Sequence, residues 1–349
     1  MNIATIIKRS ILCPLFGGFY CLQSLFLPAR LDELRYDRPV RPRIPTYDRS
    51  GQAVHPDILG PDASGRPFVL AFTPYPFSAD AFENPSVLIS DDGLRFREER
   101  KGMNPLVPAP ANDHNDDPDL SFIQGSYDLI YLETLRPARQ NLMLLRSPDR
   151  VHWTKETIAS YPLEGVGAGP FIVSPALAAR GNELYLYYVD ASAEPYRIEF
   201  LKSDDIERWD WKSSRAPGIE EGAPEPWHVD IVQAGGNYCM LMTNLYRDAA
   251  HRRRYDLYAA WSSDLESWSG FRKVFAVRPW GVKDIYRSTA YCRGDDIYIY
   301  YSYESILGNW GIKVVRKRLG ELFPEISGRS GPARGSDALS SRNIPGGSR

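Results

Sequence analysis

Ser90-Asp-Asp-Gly-Leu-Arg-Phe96 returns three more times along the chain, as Ser147-Pro-Asp-Arg-Val-His-Trp153, Ser203-Asp-Asp-Ile-Glu-Arg-Trp209 and Ser262-Ser-Asp-Leu-Glu-Ser-Trp268. The closing aromatics are 57, 56 and 59 residues apart. The pattern fits a hairpin: a strand ends at Ser, the Asp side chain caps a tight turn, and the aromatic opens the next strand facing the core. A second marker stands upstream in each unit, an apolar strand, a polar turn and an aromatic-rich strand. It reads Ser174-Pro-Ala-Leu then Glu-Leu-Tyr-Leu-Tyr-Tyr188, His228-Val-Asp-Ile-Val-Gln then Tyr-Cys-Met-Leu-Met-Thr243, and Arg287-Ser-Thr-Ala-Tyr then Ile-Tyr-Ile-Tyr-Tyr301. Two earlier units begin His55-Pro-Asp-Ile and Asp117-Pro-Asp-Leu.

These are five repeats of roughly 54–62 residues between about His55 and Leu319. Each carries about four short strands and no helical period. Repetition at this length marks propeller blades. The expected fold is all-β, a five-bladed β-propeller with four antiparallel strands per blade, over residues 38–326. The fifth unit has no Ser-x-Asp marker after Trp310–Arg318. An open edge would leave backbone groups unpaired. Residues of about 40–50 are expected to supply the missing strand, approached through the Pro-rich stretch Pro39 to Pro45.

Composition agrees. The 349 residues include 21 Tyr, 8 Trp, 28 Pro and 27 Gly, a balance of strands and turns. A net charge of −2 provides no field for nucleic acid, and no nucleic-acid partner is expected. The basic run His251-Arg252-Arg253-Arg254 reads as a solvated hairpin loop. The cysteines Cys13, Cys21, Cys239 and Cys292 form no CxxC pair, and the last two read as core thiols. Lys8-Arg9 precedes a charge-free stretch from Ser10 to Ala29. Residues 1–30 therefore read as a signal peptide or membrane anchor, with membrane association through residues 8–29, and the alternative is a segment packed outside the domain. Residues 327–349 are poor in apolar side chains and read as a disordered tail.

The five inner-strand starts place polar residues two apart: His55/Asp57, Asp117/Asp119, Ser174/Ala176, His228/Asp230 and Arg287/Thr289. Residues i and i+2 of a strand share a face. In a propeller these pairs are expected to converge at one mouth of the central channel. Four carboxylates, two imidazoles and one guanidinium would meet there, where acid/base pKa values are pushed apart.

On these residues the chain resembles the five-bladed propeller glycosidases, the glycoside hydrolase families 32, 43, 62, 68, 117 and 130, over about residues 50–320. His55-Pro-Asp57-Ile resembles the strand that carries the family's base or nucleophile. Glu221-Gly-Ala-Pro-Glu225-Pro-Trp-His228-Val-Asp230 resembles a strand entry that carries the acid. Glu83-Asn84-Pro85-Ser86 resembles uncharacterised propellers found with polysaccharide genes. The resemblance implies two-carboxyl glycoside hydrolysis of a bacterial polysaccharide or oligosaccharide. Asp57 would be base or nucleophile, Glu225 or Asp230 the acid, and Asp119 the group that orients the sugar and tunes the acid. His55, Asp117, His228 and Arg287 would bind hydroxyls or a sugar carboxylate. Trp227, with Tyr286 and Trp280, could stack on sugar faces or pack as rim residues. No cofactor is expected, although some relatives hold a structural metal ion in the funnel. The sequence departs from the family in its third unit, where Ser174-Pro175-Ala176 has no carboxylate. A non-catalytic glycan-binding propeller and a glycan phosphorylase or transglycosidase are the alternatives. The arrangement of the axial acids discriminates between them.

Overall fold

The computed structural model describes residues 27–62, 65–111, 113–165, 169–205, 209, 213–220 and 223–325. The candidate leader, with Cys13 and Cys21, lies outside the described residues up to position 26, as do Glu221 and the tail from position 326. The described chain is all-β. In chain order the strands are β1 (Ala53–Leu59), β2 (Phe68–Pro74), β3 (Ser86–Ser90), β4 (His114–Ile123), β5 (Ser126–Leu135), β6 (Arg139–Ser147), β7 (Thr154–Pro162), β8 (Ile172–Arg180), β9 (Glu183–Asp190) and β10 (Arg197–Ser203). They continue as β11 (Gly218–Ile219), β12 (Pro226–Ala234), β13 (Asn237–Arg247), β14 (Arg253–Ser262), β15 (Ser267–Trp268), β16 (Arg272–Lys273), β17 (Val282–Arg293), β18 (Asp296–Ser305) and β19 (Trp310–Arg318).

The antiparallel sheets among the described residues follow the repeats: β1-β2-β3, β4-β5-β6-β7, β8-β9-β10, β12-β13-β14-β16 and β17-β18-β19. A short parallel pair, β11 with β15, joins the third and fourth. Four strands are therefore present in two sheets and three in the others. Single bridges stand at the fourth position of two of these, Ile89 with Arg97 and Phe200 with Arg215. In the last sheet Val40 forms an antiparallel bridge with Val314, each N–H donating to the other's carbonyl. The Pro-rich stretch is thus itself a contact with the last sheet and not only an approach, and Tyr36 ahead of it bridges Arg316.

Three of the four Ser-x-Asp markers are the turns they were read as, and the other, from Ser203, runs into positions outside the described residues. Ser90 Oγ accepts from Asp92 N and Gly93 N, and Asp92 Oδ1 accepts from Leu94 N at 2.8 Å and Arg95 N at 2.7 Å. The same bonds recur at Ser147/Asp149 and Ser262/Asp264. A serine hydroxyl and an aspartate together satisfy the amides of a reversing chain.

Middle strands carry apolar residues on both faces because both are covered. In β2, Leu70 and Phe72 pack with Tyr298, Tyr300 and Val314 of the last sheet, whereas Val69 and Ala71 pack with Leu129, Tyr131 and Met143 of the second. Three further apolar clusters fill the spaces between the second and third, third and fourth, and fourth and fifth sheets. The innermost strands follow the same cycle: each lies against two others in the order β1, β4, β8, β12, β17 and back to β1. Cys239 is buried and Cys292 half-buried, and both are free thiols. No helix among the described residues is long and apolar enough to cross a membrane.

Candidate functional site

Each inner strand begins with an irregularity that decides where its polar residues go. The β1–β2 register shifts between Val54 and Asp57, β4–β5 between Asp116 and Asp119, and β8–β9 between Val173 and Ala176. Within these bulges His55, Asp117 and Ser174 have φ of 52°, 48° and 55°. The next residue is Pro in each case, which cannot donate to a ladder and bars its predecessor from the right-handed helical region. A left-handed non-glycine residue costs about 1–3 kcal/mol and persists only where its surroundings hold it. A shorter shift precedes His228 in β12, and one of the same length as in β1, β4 and β8 lies between Ile285 and Ser288 in β17.

The bulge overturns one expectation. Residues i and i+2 do not converge on one mouth; they separate into two tiers along the axis. The upper tier groups His55, Asp117 and His228, whose ligand atoms lie within 4.8 Å of one another. The lower tier groups Asp57, Asp119 and Asp230 within the same limit. Arg287, with 0% exposure, stands between them, its Nη1 3.6 Å from Asp117 Oδ1 and its Nη2 3.5 Å from Asp119 Oδ1.

In the upper tier, His55 Nε2 is 3.4 Å and His228 Nδ1 3.5 Å from Asp117 Oδ1. These are longer than hydrogen bonds. His55 Nε2, Asp117 Oδ1 and both ring nitrogens of His228 are buried with no hydrogen-bond partner. Burial lowers His55 to about 4 and His228 to about 3, against the pull of Asp117. Burial would raise Asp117, but the two histidines, Arg287 and the donating Ser174 N–H prevail and hold it at about 2. At neutral pH the tier is thus two neutral imidazoles and one carboxylate. That donor set, with unused lone pairs, fits a divalent transition ion.

Glu83 and His114 flank this tier, and the sequence reading gave neither a role. Glu83 follows the short turn Asp80–Phe82, and its Oε1 is 3.7 Å from His55 Nδ1. Burial and then Asp116 raise its carboxyl well above the usual range, with His114 opposing. Burial disfavours charge on His114, but its bond to Asp116 at 2.9 Å and the nearby Glu83 and Asp113 raise it to about 10. Glu83 precedes a strand and belongs to no i/i+2 pair, so the only trace it left in the sequence was the Glu-Asn-Pro-Ser motif. An aromatic wall adjoins the tier. His228 and Tyr286 are in edge contact at 4.3 Å, Trp227 Nε1 donates to Tyr286 Oη, and Trp310 links Tyr286 to Tyr75. Trp280 is not part of it and is 93% exposed.

The lower tier is tied into the backbone. Asp57 accepts from Leu120 N and, at 3.0 Å, from Thr289 Oγ1. Asp119 accepts from Leu177 N at 2.9 Å, and Ile58 N donates to Thr289 Oγ1. Each bond runs from one inner strand to the next. Burial raises all three acids, and Asp57 adds to the effect on Asp230, which reaches about 7. Glu225, the other candidate acid, is not brought to the axis group: its Oε1 accepts from Tyr196 N at 3.1 Å.

No family model matches the chain, and no curated protein matches it. Solved structures do. An N-acetylgalactosamine deacetylase from F. plautii, in complex with blood group B trisaccharide, is 20% identical, with a TM-score of 0.65 over 82% of this chain and 96% of that one. At that identity the likeness is one of fold alone. An exo-1,5-α-L-arabinanase from a bovine ruminal metagenomic library is 15% identical, with a TM-score of 0.53 over 76% of this chain and 92% of that one. The α-L-arabinanase of Cellvibrio cellulosa is 11% identical, with a TM-score of 0.54 over 76% and 91%.

Proposed function

We propose that this protein is a glycan hydrolase built as a five-bladed propeller, with its chemistry at the upper tier of the axis. Five sheets, five intervening apolar clusters and the cyclic order of the inner strands support the blade count. The observation that carries the functional reading is the set of buried, unpartnered lone pairs on His55, Asp117 and His228, beside the buried carboxyl of Glu83 and a wall of aromatics. The wall suits the apolar face of a sugar ring.

In this reading glycosidic cleavage divides between unlike carboxyls. Glu83, kept neutral by burial, donates a proton to the leaving oxygen. Asp117, kept ionised, acts as base or stabilises developing positive charge on the sugar. His55 lies between the two, its ring held by Thr73 Oγ1 at 3.1 Å from Nδ1. Arg287 fixes Asp117 from beneath, and Trp227 with Tyr286 positions the sugar. The acid role expected of Glu225 or Asp230 and the base role expected of Asp57 are given in this reading to Glu83 and Asp117. A divalent cation on His55, Asp117 and His228 would add Lewis acidity at the same point.

The histidine-rich donor set favours a second reading at this site, hydrolysis of a sugar's N-acyl group, and the similarity to an N-acetylgalactosamine deacetylase is in keeping with it. The test is a screen of the purified full chain on arabinan-type and N-acetylated glycans, with reducing ends and free acetate measured in parallel. Chelator-treated protein is compared with protein given Zn²⁺ or Mn²⁺. Turnover lost in Glu83→Gln and His228→Gln is expected. Turnover unchanged in both would remove the assignment, and glycan binding without either product would favour a lectin.

A further inference from the structure

Five large apolar side chains stand exposed among the described residues, and four of them belong to two adjoining tips. Val277 and Trp280 lie on the segment that leads into β17, and Ile306 and Leu307 on the turn between β18 and β19. They are 69–93% exposed. Ile306 N donates to Gly281 O at 3.2 Å, which holds the two tips side by side. A turn that faces only water gains nothing from Trp, Ile, Leu and Val. Grouped apolar exposure of this kind marks a contact with another molecule or with a membrane.

The surroundings favour one partner. Arg278 Nη2 donates to Tyr255 O and Arg254 Nη2 to Lys283 O, so the tips are tied to the β13–β14 hairpin, which carries the basic run. Across that hairpin Arg247 and Arg253 stand directly opposite each other, a like-charge pair that a sheet does not favour. Arg247 faces one exposed acid, Glu194, at 3.7 Å. Arg253 is exposed over the Trp227 ring and has no carboxylate partner among the described residues. The carboxylates of Asp284, Asp256 and Asp248 lie beneath their cations, 4–19% exposed, against 71% for the Arg252 side chain. The outward face is thus cationic beside an apolar edge. A soluble polyanion would engage the arginines and leave the tips in water, and a purely apolar partner would leave the arginines unmatched. An anionic bilayer surface engages both: Trp settles at headgroup level, aliphatic tips reach the acyl boundary, and arginines meet lipid phosphates.

We infer that this edge is a docking surface for an anionic lipid bilayer. It lies at the end of the sheets that holds the upper tier, because β17 runs from Val282 through Arg287, between the tiers, to Thr289, which bonds Asp57 in the lower one. Docking brings that end to the membrane surface. It requires no hydrolysis and so stands apart from the hydrolytic reading.

The full chain is sedimented with vesicles of phosphatidylglycerol and phosphatidylcholine in equal parts, and with vesicles of phosphatidylcholine alone. Binding to the anionic vesicles is expected, weaker on the neutral ones and reduced by added salt. Trp280→Ser with Leu307→Ser should weaken it at least about 10-fold, from the apolar area no longer buried. Arg252→Gln and Arg253→Gln should each weaken it about 5-fold. Residues 1–26 are unchanged in every variant, so whatever they add to binding cancels. Equal binding by wild type and the Trp280/Leu307 variant overturns the surface, as does equal binding to both kinds of vesicle. So does a wild type that self-associates through these tips and is monomeric in the variant, or one that binds soluble polygalacturonate through its arginines and no vesicle. Should the double variant fail to fold, brominated lipid decides: quenching of tryptophan emission in the wild type that is lost in Trp280→Phe supports insertion, and equal quenching in the two removes it.

Discussion

The two axial tiers come from the same three-residue motif and do different things. His55-Pro56-Asp57 and Asp117-Pro118-Asp119 each send their first residue to the upper tier and their third to the lower. In the upper tier His55 Nε2, Asp117 Oδ1 and both ring nitrogens of His228 are unspent, while Asp117 Oδ2 accepts from Ser174 N and His55 Nδ1 pairs with Thr73 Oγ1. In the lower tier Asp57 and Asp119 accept backbone amides from the next sheet, in the manner of structural fasteners. Polarity where the inner strands meet is thus not enough to locate chemistry. What separates the tiers is how much capacity is left: four buried ring and carboxylate atoms without a partner on His55, Asp117 and His228, against Asp230 Oδ2 alone among the three lower acids.

The largest expected effect that could break this contrast is on turnover. Glu83→Gln should lower kcat about 10²–10⁴-fold on whichever glycan the screen identifies, the usual worth of a positioned proton donor. Its melting temperature should barely move. A kcat within a factor of two of wild type would place the proton donor elsewhere.

Asp57→Ala should show the reverse pattern. Leu120 N–H and Thr289 Oγ1 lose a buried acceptor, which costs about 2–4 kcal/mol for two unmatched groups. Denaturant midpoints at constant slope read this directly. A stability equal to wild type would remove Asp57 from the fasteners.

Acid response should separate the tiers by sign in chelator-treated protein. His55 is neutral when folded down to about 4 but protonates near 6.5 when unfolded. The unfolded state then binds more protons, so this contribution is lost as pH falls from about 6.5 to 4, about 3 kcal/mol at most. Asp230, raised to about 7, binds its proton in the folded state first and gains stability as pH falls from 7 towards 3.8. Subtracting the pH–stability curves of His55→Gln and Asp230→Asn from wild type should give slopes of opposite sign. Slopes of one sign would mean the tiers titrate as a single unit.

The smallest effect is on recognition. Trp227→Ala should raise KM about 3–10-fold with kcat little changed, as expected for a stacking contact of about 0.5–1.5 kcal/mol. An unchanged KM would make Trp227 a wall residue only.

Much of this molecule was legible in its sequence because the signals are local. A Ser-x-Asp turn satisfies its own amides within a few residues, as Ser90 and Asp92 do, so its spacing alone announces the repeats. Strands such as β2, apolar on both faces, could be read as buried between layers. The residues of the axis, His55, Asp57, Asp117, Asp119, His228, Asp230 and Arg287, were also visible as pairs at strand starts. Their division into tiers was not. It depends on positive φ at His55 and Asp117, which a strand pattern of period two does not contain. Glu83 and His114 reach the site from outside the paired positions, and Glu225 turns to Tyr196.

The sequence by itself determined the repeat, the all-β class and the inventory of polar groups on the axis, since each depends on neighbours within one hairpin. The tertiary structure alone decided which acids keep free lone pairs and which accept amides. That choice depends on the strand of the next sheet, more than fifty residues away for Asp57 and Leu120, and on a desolvation that exists only once the ring of inner strands is assembled.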